Sequence, residues 1–311
     1  MRILVIGSSN TDMVVKANHL PVPGETILGG KFIMNAGGKG ANQAVAAARL
    51  GGIVTFIAKT GNDIFGNQAL QMFEKEGINT SYMLKDPNQP SGVALITVDK
   101  NGENCIVVAP GANGTLSIGD IEKFTDAIRE TNIILLQLET PVDTVEYIAK
   151  LGFGLGKKVV LNPAPAQFLN EKLLQALYLI TPNQTEAEML SGIKITTPGN
   201  EHIDGLKIDG LASVERAAAA LHAKGVQNIV ITLGSSGAYV FSAEYKGLVP
   251  GRKVTPVDTT AAGDTFSGAL VVALSEGKTI KEAVEFANLA ASISVTRMGA
   301  QSSIPFRKEL Y

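Results

Sequence analysis

A chain of 311 residues is long enough for one large core or two domains, and 45% hydrophobic with 18% charged residues mark a folded protein, not a disordered one. A formal net charge of -2 offers no broad cationic field to nucleic acid, the single cysteine, Cys105, forms no internal disulfide, and three histidines are too few for most histidine-based metal sites. No segment approaches the roughly 20 apolar residues of a membrane span, and the apolar run behind Met1 is too short for a signal-peptide core, so the expected location is the cytoplasm.

Residues 3–6 form a continuous apolar run, the mark of a strand covered on both faces. The run ends in Gly7-Ser8-Ser9-Asn10-Thr11-Asp12, which places polar groups past a strand's carboxyl end, where open α/β sheets usually bind ligands. Asn10 brings a donor and an acceptor, and Asp12 brings acceptors only. Together they suit vicinal hydroxyls, although Asx residues in a turn also serve as local caps. Residues 13–15 and 26–33 are short, interrupted by Pro21, Pro23 and the Gly29-Gly30 pair, and no long helix separates them. They read as a small β element outside the main sheet. Next comes Asn35-Ala36-Gly37-Gly38-Lys39-Gly40-Ala41-Asn42-Gln43, in which glycines lead into an alanine-rich helix with Lys39 and Asn42 as polar groups at its start. It lacks P-loop spacing, and so does Gly277-Lys278-Thr279, where Val272 stands at a required glycine.

Residues 54–58 read as a strand and 66–76 as a helix. Residues 92–98 and 103–108 flank Asn101-Gly102, a strong hairpin signal and the second piece of the outlying β element. The two pieces can pair into a sheet that covers the site or is shared between subunits; ordinary edge strands are the alternative. From there strands and helices alternate: a strand over 133–138 ending in Glu139, a helix over 142–151, a glycine-rich loop over 152–156, a strand over 159–162, a short helix over 169–176. Leu179-Ile180 then leads into Thr181-Pro182-Asn183-Gln184-Thr185-Glu186, a polar strand end entering a helix. Residues 194–208 read as an exposed loop insertion and 210–223 as a helix. A strand over 228–233 runs into Gly234-Ser235-Ser236-Gly237 and a further strand over 238–241, and helices over 265–275 and 280–295 close the chain. The alternation predicts an α/β fold, a doubly wound, mostly parallel sheet flanked by helices. The expected division is a large domain of 1–12, 36–90 and 110–311 and a small β lid of 13–35 and 91–109.

The stretch from Pro256 to Leu270 organises the rest. Ala261, Ala262 and Gly263 stand where a helix begins, and a helix start leaves N–H groups unpartnered and carries a partial positive charge, so a phosphate could approach the backbone there. Asp264 lies in the same turn. A carboxylate beside an anion site suggests proton acceptance from a hydroxyl that attacks phosphorus; a plain helix cap is the other reading.

Taken in order, Asn10-Thr11-Asp12, Gly37 to Asn42, Asn162-Pro163-Ala164-Pro165-Ala166, Asn183 with Glu186, Thr232-Leu233-Gly234 and Asp258 to Asp264 resemble the ribokinase-like family of carbohydrate and nucleoside kinases over essentially the whole chain. The resemblance implies in-line transfer of the ATP γ-phosphoryl group to O5 of D-ribose, with 2-deoxyribose, a ketohexose or a nucleoside as alternative acceptors. Asp264 would be the general base, and Ala261, Ala262, Gly263 and the Asp264 amide the anion hole. Asn10, Asp12, Gly38, Lys39, Asn42, Glu139 and Asp264 would hold the sugar hydroxyls, with Ala94, Ile96 and Ile106 on the apolar lid side. Asn183 and Glu186 would organise water and Mg²⁺ around the nucleotide phosphates. Thr232, Gly234, Ser235, Gly237 and Gly263 would line the nucleotide, with Asn288 near adenine. Asp258, Thr260, Ser294, Arg297, Gly299 and Ser303 match loops that bind K⁺, largely through carbonyl oxygens. The family's lid also implies a homodimer, and neither nucleic acid nor membrane is an expected partner.

Overall fold

The computed structural model describes residues 1–28, 30–196 and 208–311. The N-terminal apolar run forms β1 (Arg2–Ile6), whose last four residues are buried, as a strand covered on both faces requires. The chain then leaves the main sheet for β2 (Asn10–Lys16) and β3 (Lys31–Gly37) and returns through α1 (Lys39–Arg49) to β4 (Ile53–Ile57). Short elements follow, β5 (Lys59–Gly61), α2 (Ile64–Lys75) and β6 (Leu84–Asp86), then the hairpin β7 (Gly92–Val98) and β8 (Asn104–Ala109). Alternation resumes with α3 (Ile118–Glu122), α4 (Thr125–Glu130), β9 (Ile133–Leu136), α5 (Val142–Gly154), β10 (Lys158–Leu161), α6 (Glu171–Leu174), β11 (Leu179–Ile180), α7 (Gln184–Ser191), α8 (Ile208–Ala223) and β12 (Asn228–Thr232). The chain closes with β13 (Gly237–Phe241), β14 (Lys246–Pro250), α9 (Ala262–Ser275) and α10 (Ile280–Ser294).

Eight of these strands form one sheet in the order β14-β13-β12-β11-β10-β9-β1-β4. Pairings from β4 to β12 are parallel and the last two antiparallel, so the expected mostly parallel sheet is present. Its two faces carry separate apolar layers. One gathers Val45, Leu270 and Val284 from α1, α9 and α10; the other gathers Val145, Ile148 and Leu221 from α5 and α8. The chain places β4 on one side of β1 and later β9 on the other. That switch of direction opens a crevice beyond the carboxyl ends of β1 and β9, the usual ligand position in such sheets.

A separate four-stranded sheet, β3-β2-β7-β8, stands beside this crevice. Asn10, Thr11 and Asp12 lie on its strand β2, not in a turn, because their backbone pairs with residues 35–37 on one side and 92–94 on the other. Strand β3 begins only at Lys31, five residues after the expected start at Thr26. The hairpin loop is five residues long, Asp99 to Glu103: the Asp99 N–H bonds the Glu103 carbonyl, and the Asp99 carboxylate accepts from the Asn101 and Glu103 N–H groups. The expected loop over 152–156 is a further correction. Helix α5 continues to Gly154 because Gly152 lets it lie close to the sheet, where a Cβ would stand 2.7 Å from Ile134 Cδ1, and Gly156, at φ +68°, then ends the run. Of the expected insertion over 194–208, residues 197–207 lie outside the described residues.

Candidate active site

Helix α9 starts at Ala261, which has φ 58° and ψ 14° and is the one non-glycine residue with positive φ among the described residues. This left-handed residue turns the backbone so that the helix N-terminus faces the crevice. The Ala262 N–H bonds back to the Thr259 carbonyl oxygen at 3.2 Å, whereas the Gly263 and Asp264 N–H groups have no backbone partner among the described residues. The candidate anion-binding donors at this turn are those two and the Ala261 N–H, which likewise has no backbone partner among the described residues, aided by the helix dipole.

The Asp264 carboxylate is buried and clasped by two amides of α1. Asn42 Nδ2 donates to Oδ2 and Gln43 Nε2 to Oδ1, each at 2.9 Å. The reach is possible because α1 and α9 pack with their backbones almost in contact. A Cβ on Gly268 would lie 2.6 Å from Ala46 Cβ and 2.8 Å from the Gln43 carbonyl oxygen, so the glycine and the alanine run opposite it set the spacing. Burial raises the Asp264 pKa, while Lys39 and the two amide donors work to lower it.

Lys39 opens α1. Its N–H donates to Glu139 Oε2 at 2.9 Å, and that oxygen also accepts from the Ser8 hydroxyl, so Glu139 ties the end of β9 to the end of β1 and to a helix start. Burial works to lower the Lys39 pKa, but the carboxylates of Asp264, Glu139 and Glu186 outweigh it and hold it raised. Gly38, at φ +88°, brings this turn against β2: a Cβ there would stand 2.7 Å from the Asn10 nitrogen. The Asp12 carboxyl is pushed up to about 6, mainly by burial, then by Glu139 and Asp264. The Asn10 Oδ1 accepts from Asn113 Nδ2 at 2.8 Å, which leaves the Asn10 amide hydrogens to face a ligand. The pairing of Asp12 with Ala94 and of Ile96 with Ile106 puts these three apolar side chains on the Asp12 face of the small sheet; Ala94 is buried and Ile106 is exposed.

A cleft of about 230 Å³ runs from Asp264 and Lys39 past residues 261–263 to Asn183, Glu186 and Thr232. Asn183 and Glu186 form a reciprocal cap at the start of α7, with the Asn183 N–H on Glu186 Oε2 at 2.8 Å and the Glu186 N–H on Asn183 Oδ1 at 2.9 Å. Burial raises the Glu186 pKa against the opposing Asn183 N–H and Lys39. With Oε1 left over, Glu186 is a single carboxylate suited to a Mg²⁺ ion that a nucleotide carries with its own water shell; among the described residues no group of three or more acidic, His or Cys side chains is arranged as a metal cage. Gly234 and Ser235 sit in the turn after β12, which bends back at Gly237 to pair with β14, and Thr232 alone of this set borders the cleft. The Asn288 amide donates to the Val249 and Pro250 carbonyls and clips the end of β14.

The two loops expected to hold K⁺ are joined by Asp258. Its Oδ1 accepts from the Thr260 N–H at 2.9 Å and the Thr260 hydroxyl at 2.6 Å, and its Oδ2 from the Gly299 N–H at 2.8 Å. Ser294 and Ser303 hydroxyls donate to the carbonyls of Ala291 and Ala300, and the Arg297 guanidinium pairs with Glu309. The two serine hydroxyls are thus turned to main-chain carbonyls of their own segments, and the Arg297 side chain to a carboxylate.

Gln43, Asn162, Ser8 and Asn113 adjoin this site, and the sequence assigns none of them a role, although Asn162 opens the Asn162 to Ala166 motif. Gln43 carried a signal, a glutamine inside an otherwise small and apolar helix; Asn113 carried none, because its partner Asn10 is 103 residues away.

A parallel sheet with its crevice under a small β cover, a buried carboxylate beside free amides, and a cleft leading away to a second polar strand end define a kinase of small hydroxylated molecules. The profile of the pfkB family carbohydrate kinases matches residues 1–307, and the chain belongs to that family. It is 43% identical over 307 residues to a ribokinase of Haemophilus influenzae, covering 99% of this chain and 96% of that one. It is 38% identical over 306 residues to a deoxyribokinase of Salmonella typhi, covering 98% and 96%. The solved structure of the Arabidopsis thaliana ribokinase complexed with ribose and ATP superimposes with a TM-score of 0.87 at 32% identity, covering 99% of this chain and 97% of that one.

Proposed function

We propose that the protein transfers the γ-phosphoryl group of ATP to O5 of D-ribose, giving D-ribose 5-phosphate and ADP. The observation that carries this reading is the Asp264 carboxylate, clasped by Asn42 and Gln43 and set beside the unpartnered Gly263 and Asp264 amides. The acceptor lies under the small sheet, its hydroxyls held by Asn10, Asp12, Gly38, Lys39, Asn42 and Glu139. The Asn42 Oδ1, buried without a partner, accepts from one of them. Asp264 takes the proton as O5 attacks, and the Gly263 and Asp264 N–H groups hold the transferring phosphoryl oxygens in line. The small sheet keeps water from the donor. Asn183 and Glu186 would hold, through its water shell, the Mg²⁺ that would neutralise charge on the nucleotide phosphates, and the 258–260 and 294–303 loops would hold a K⁺ that would steady the turn at Ala261. No helix among the described residues is long and apolar enough to cross a membrane, and the metabolic reading puts the protein in the cytoplasm as a homodimer through its small sheets.

The test is a panel of D-ribose, 2-deoxy-D-ribose, fructose and adenosine with ATP, with and without K⁺, on the wild type and Asp264→Asn. Ribose is expected to exceed 2-deoxyribose in kcat/KM by at least about tenfold, because buried partners of the missing hydroxyl are left unpaired. Asp264→Asn is expected to lower the rate by about 10²–10⁴ with both substrates still bound. Another acceptor preferred to ribose would overturn the substrate, and a wild-type rate in Asp264→Asn would overturn the base.

A further inference from the structure

Behind Asp264 runs a chain of buried side-chain amides to which phosphoryl transfer, as described, gives no role. Asn162 Nδ2 donates to the Thr181 main-chain carbonyl at 3.2 Å, and since that oxygen can only accept, the Asn162 amide has one orientation. Its Oδ1 is thereby turned toward Gln43, whose Nε2 reaches it at 3.0 Å and reaches Asp264 Oδ1 at 2.9 Å. Gln43 Oε1 accepts in turn from Gln137 Nε2 at 2.7 Å. Gln43, Gln137 and Asn162 are all buried, so water does not replace these partners while the helices stay packed. The direction fixed at Thr181 is carried to Asp264: the Gln43 amide can only donate to the carboxylate. Reversed, it would set Oε1 against both Asp264 Oδ1 and Asn162 Oδ1.

We propose that Gln43 is a positioning residue for the reaction, its amide locked by Asn162 so that it holds the Asp264 carboxylate ionised and in one orientation. The inference rests on reading Asp264 as the general base. Four charged groups bear on Asp264: Lys39 at the start of α1 favours its ionised form, and Glu139 after β9, Asp12 on β2 and Glu186 on α7 oppose it. Burial and three carboxylates stand against one ammonium, so the neutral N–H donors aimed at the carboxylate add to Lys39 in keeping it a base. Asn42 supplies one of these donors and contacts the acceptor side; Gln43 supplies the other from the interior and has no other work in the site.

The test measures the rate of phosphoryl transfer as a function of pH for Gln43→Leu beside the wild type. Loss of the donor is expected to lower the rate at neutral pH by about 10- to 100-fold and to move the acid limb upward by about one pH unit or more, so that much of the loss is regained in alkali. Sugar and ATP KM values are expected to stay within about threefold, because Gln43 touches neither substrate. An acid limb at the wild-type position, or a loss carried by both KM values, overturns the proposal, since a packing defect moves those and leaves the limb alone. Should Gln43→Leu not fold, Asn162→Ala frees the Gln43 amide to turn and is expected to move the limb in the same direction by less; an unmoved limb there overturns the proposal equally. Asp264→Asn run alongside separates the two readings. If it keeps the wild-type rate, the base assignment itself fails; if it is inert while the Gln43→Leu limb is unmoved, only the role of Gln43 fails.

Discussion

At Asp12, function and stability pull in opposite directions. The carboxyl is held up at about 6 against an ordinary 3.8 by burial and by Glu139 and Asp264. A carboxyl whose folded pKa lies above its unfolded value stabilises the fold below the unfolded value, and that contribution is lost as pH rises through about 6. Ionised Asp12 therefore costs the fold something on the order of 1–3 kcal/mol above pH 7. Asp12→Asn is expected to raise the melting temperature at pH 7.5 and to change it little near pH 4, while kcat/KM for the sugar falls steeply and ATP binding holds. A lower melting temperature at pH 7.5 would contradict the burial argument. The wild-type sugar KM is expected to rise as pH falls through about 6, where Asp12 gains a proton and loses an acceptor. Ala261 presents a different strain. A left-handed alanine costs about 1–2 kcal/mol, so Ala261→Gly should be neutral or mildly stabilising, and Ala261→Val, β-branched, should lose both stability and turnover. Thermal unfolding of the two variants checks the pair.

Among the elements, α1 and α9 could be read from the sequence because glycine, alanine and one buried carboxylate already say close packing and chemistry. What the sequence could not give was their distance, and Gly268 sets it. A side chain there must push against Ala46 and the Gln43 carbonyl, so Gly268→Val is expected to cost about 1–3 kcal/mol and to lower kcat more than tenfold by drawing Asn42 and Gln43 away from Asp264. A folded Gly268→Val with wild-type kcat would show that the helix spacing does not control the base. Other elements stayed hidden for identifiable reasons. Strand β14 has only Val249 buried and lies at the sheet edge between glycine and proline, so it lacks the apolar pattern of a central strand. The β2 strand start at Asn10 looked like a turn because its partners, residues 35–37 and 92–94, are remote in sequence. The Asn113 clasp on Asn10 and the amide chain from Thr181 through Asn162 and Gln43 to Gln137 likewise arise only when six distant segments meet, and no local spacing announces them. The carboxylates, the Asn183–Glu186 cap and the helix start at Ala261 were legible because each is a short-range pattern with its own chemistry.

On the scale of the molecule, the small sheet is unfinished as it stands in one chain. Strand β8 is its edge, and all six of its residues are exposed. Apolar side chains are uncovered on both faces: Ile106 and Val108 on the Asp12 face, and Phe32, Leu95 and Val107 on the other. An exposed apolar edge strand invites pairing, and natural proteins cover such edges or blunt them with charge, which β8 does not carry. A second copy of the same sheet is the proposed cover, and since Ile106 sits on the face that bounds the acceptor site, assembly and sugar binding should be linked. Two single variants, Val107→Arg and Val108→Arg, put a charge on opposite faces of the strand. At least one is expected to yield a monomer by sedimentation at micromolar concentration, and that variant should show a sugar KM raised by about tenfold or more with the ATP KM nearly unchanged. The variant that stays dimeric identifies the face not used. A wild type that sediments as a monomer, or two dimeric variants with unaltered sugar KM, would detach the small sheet from assembly and leave it a cover for its own site alone.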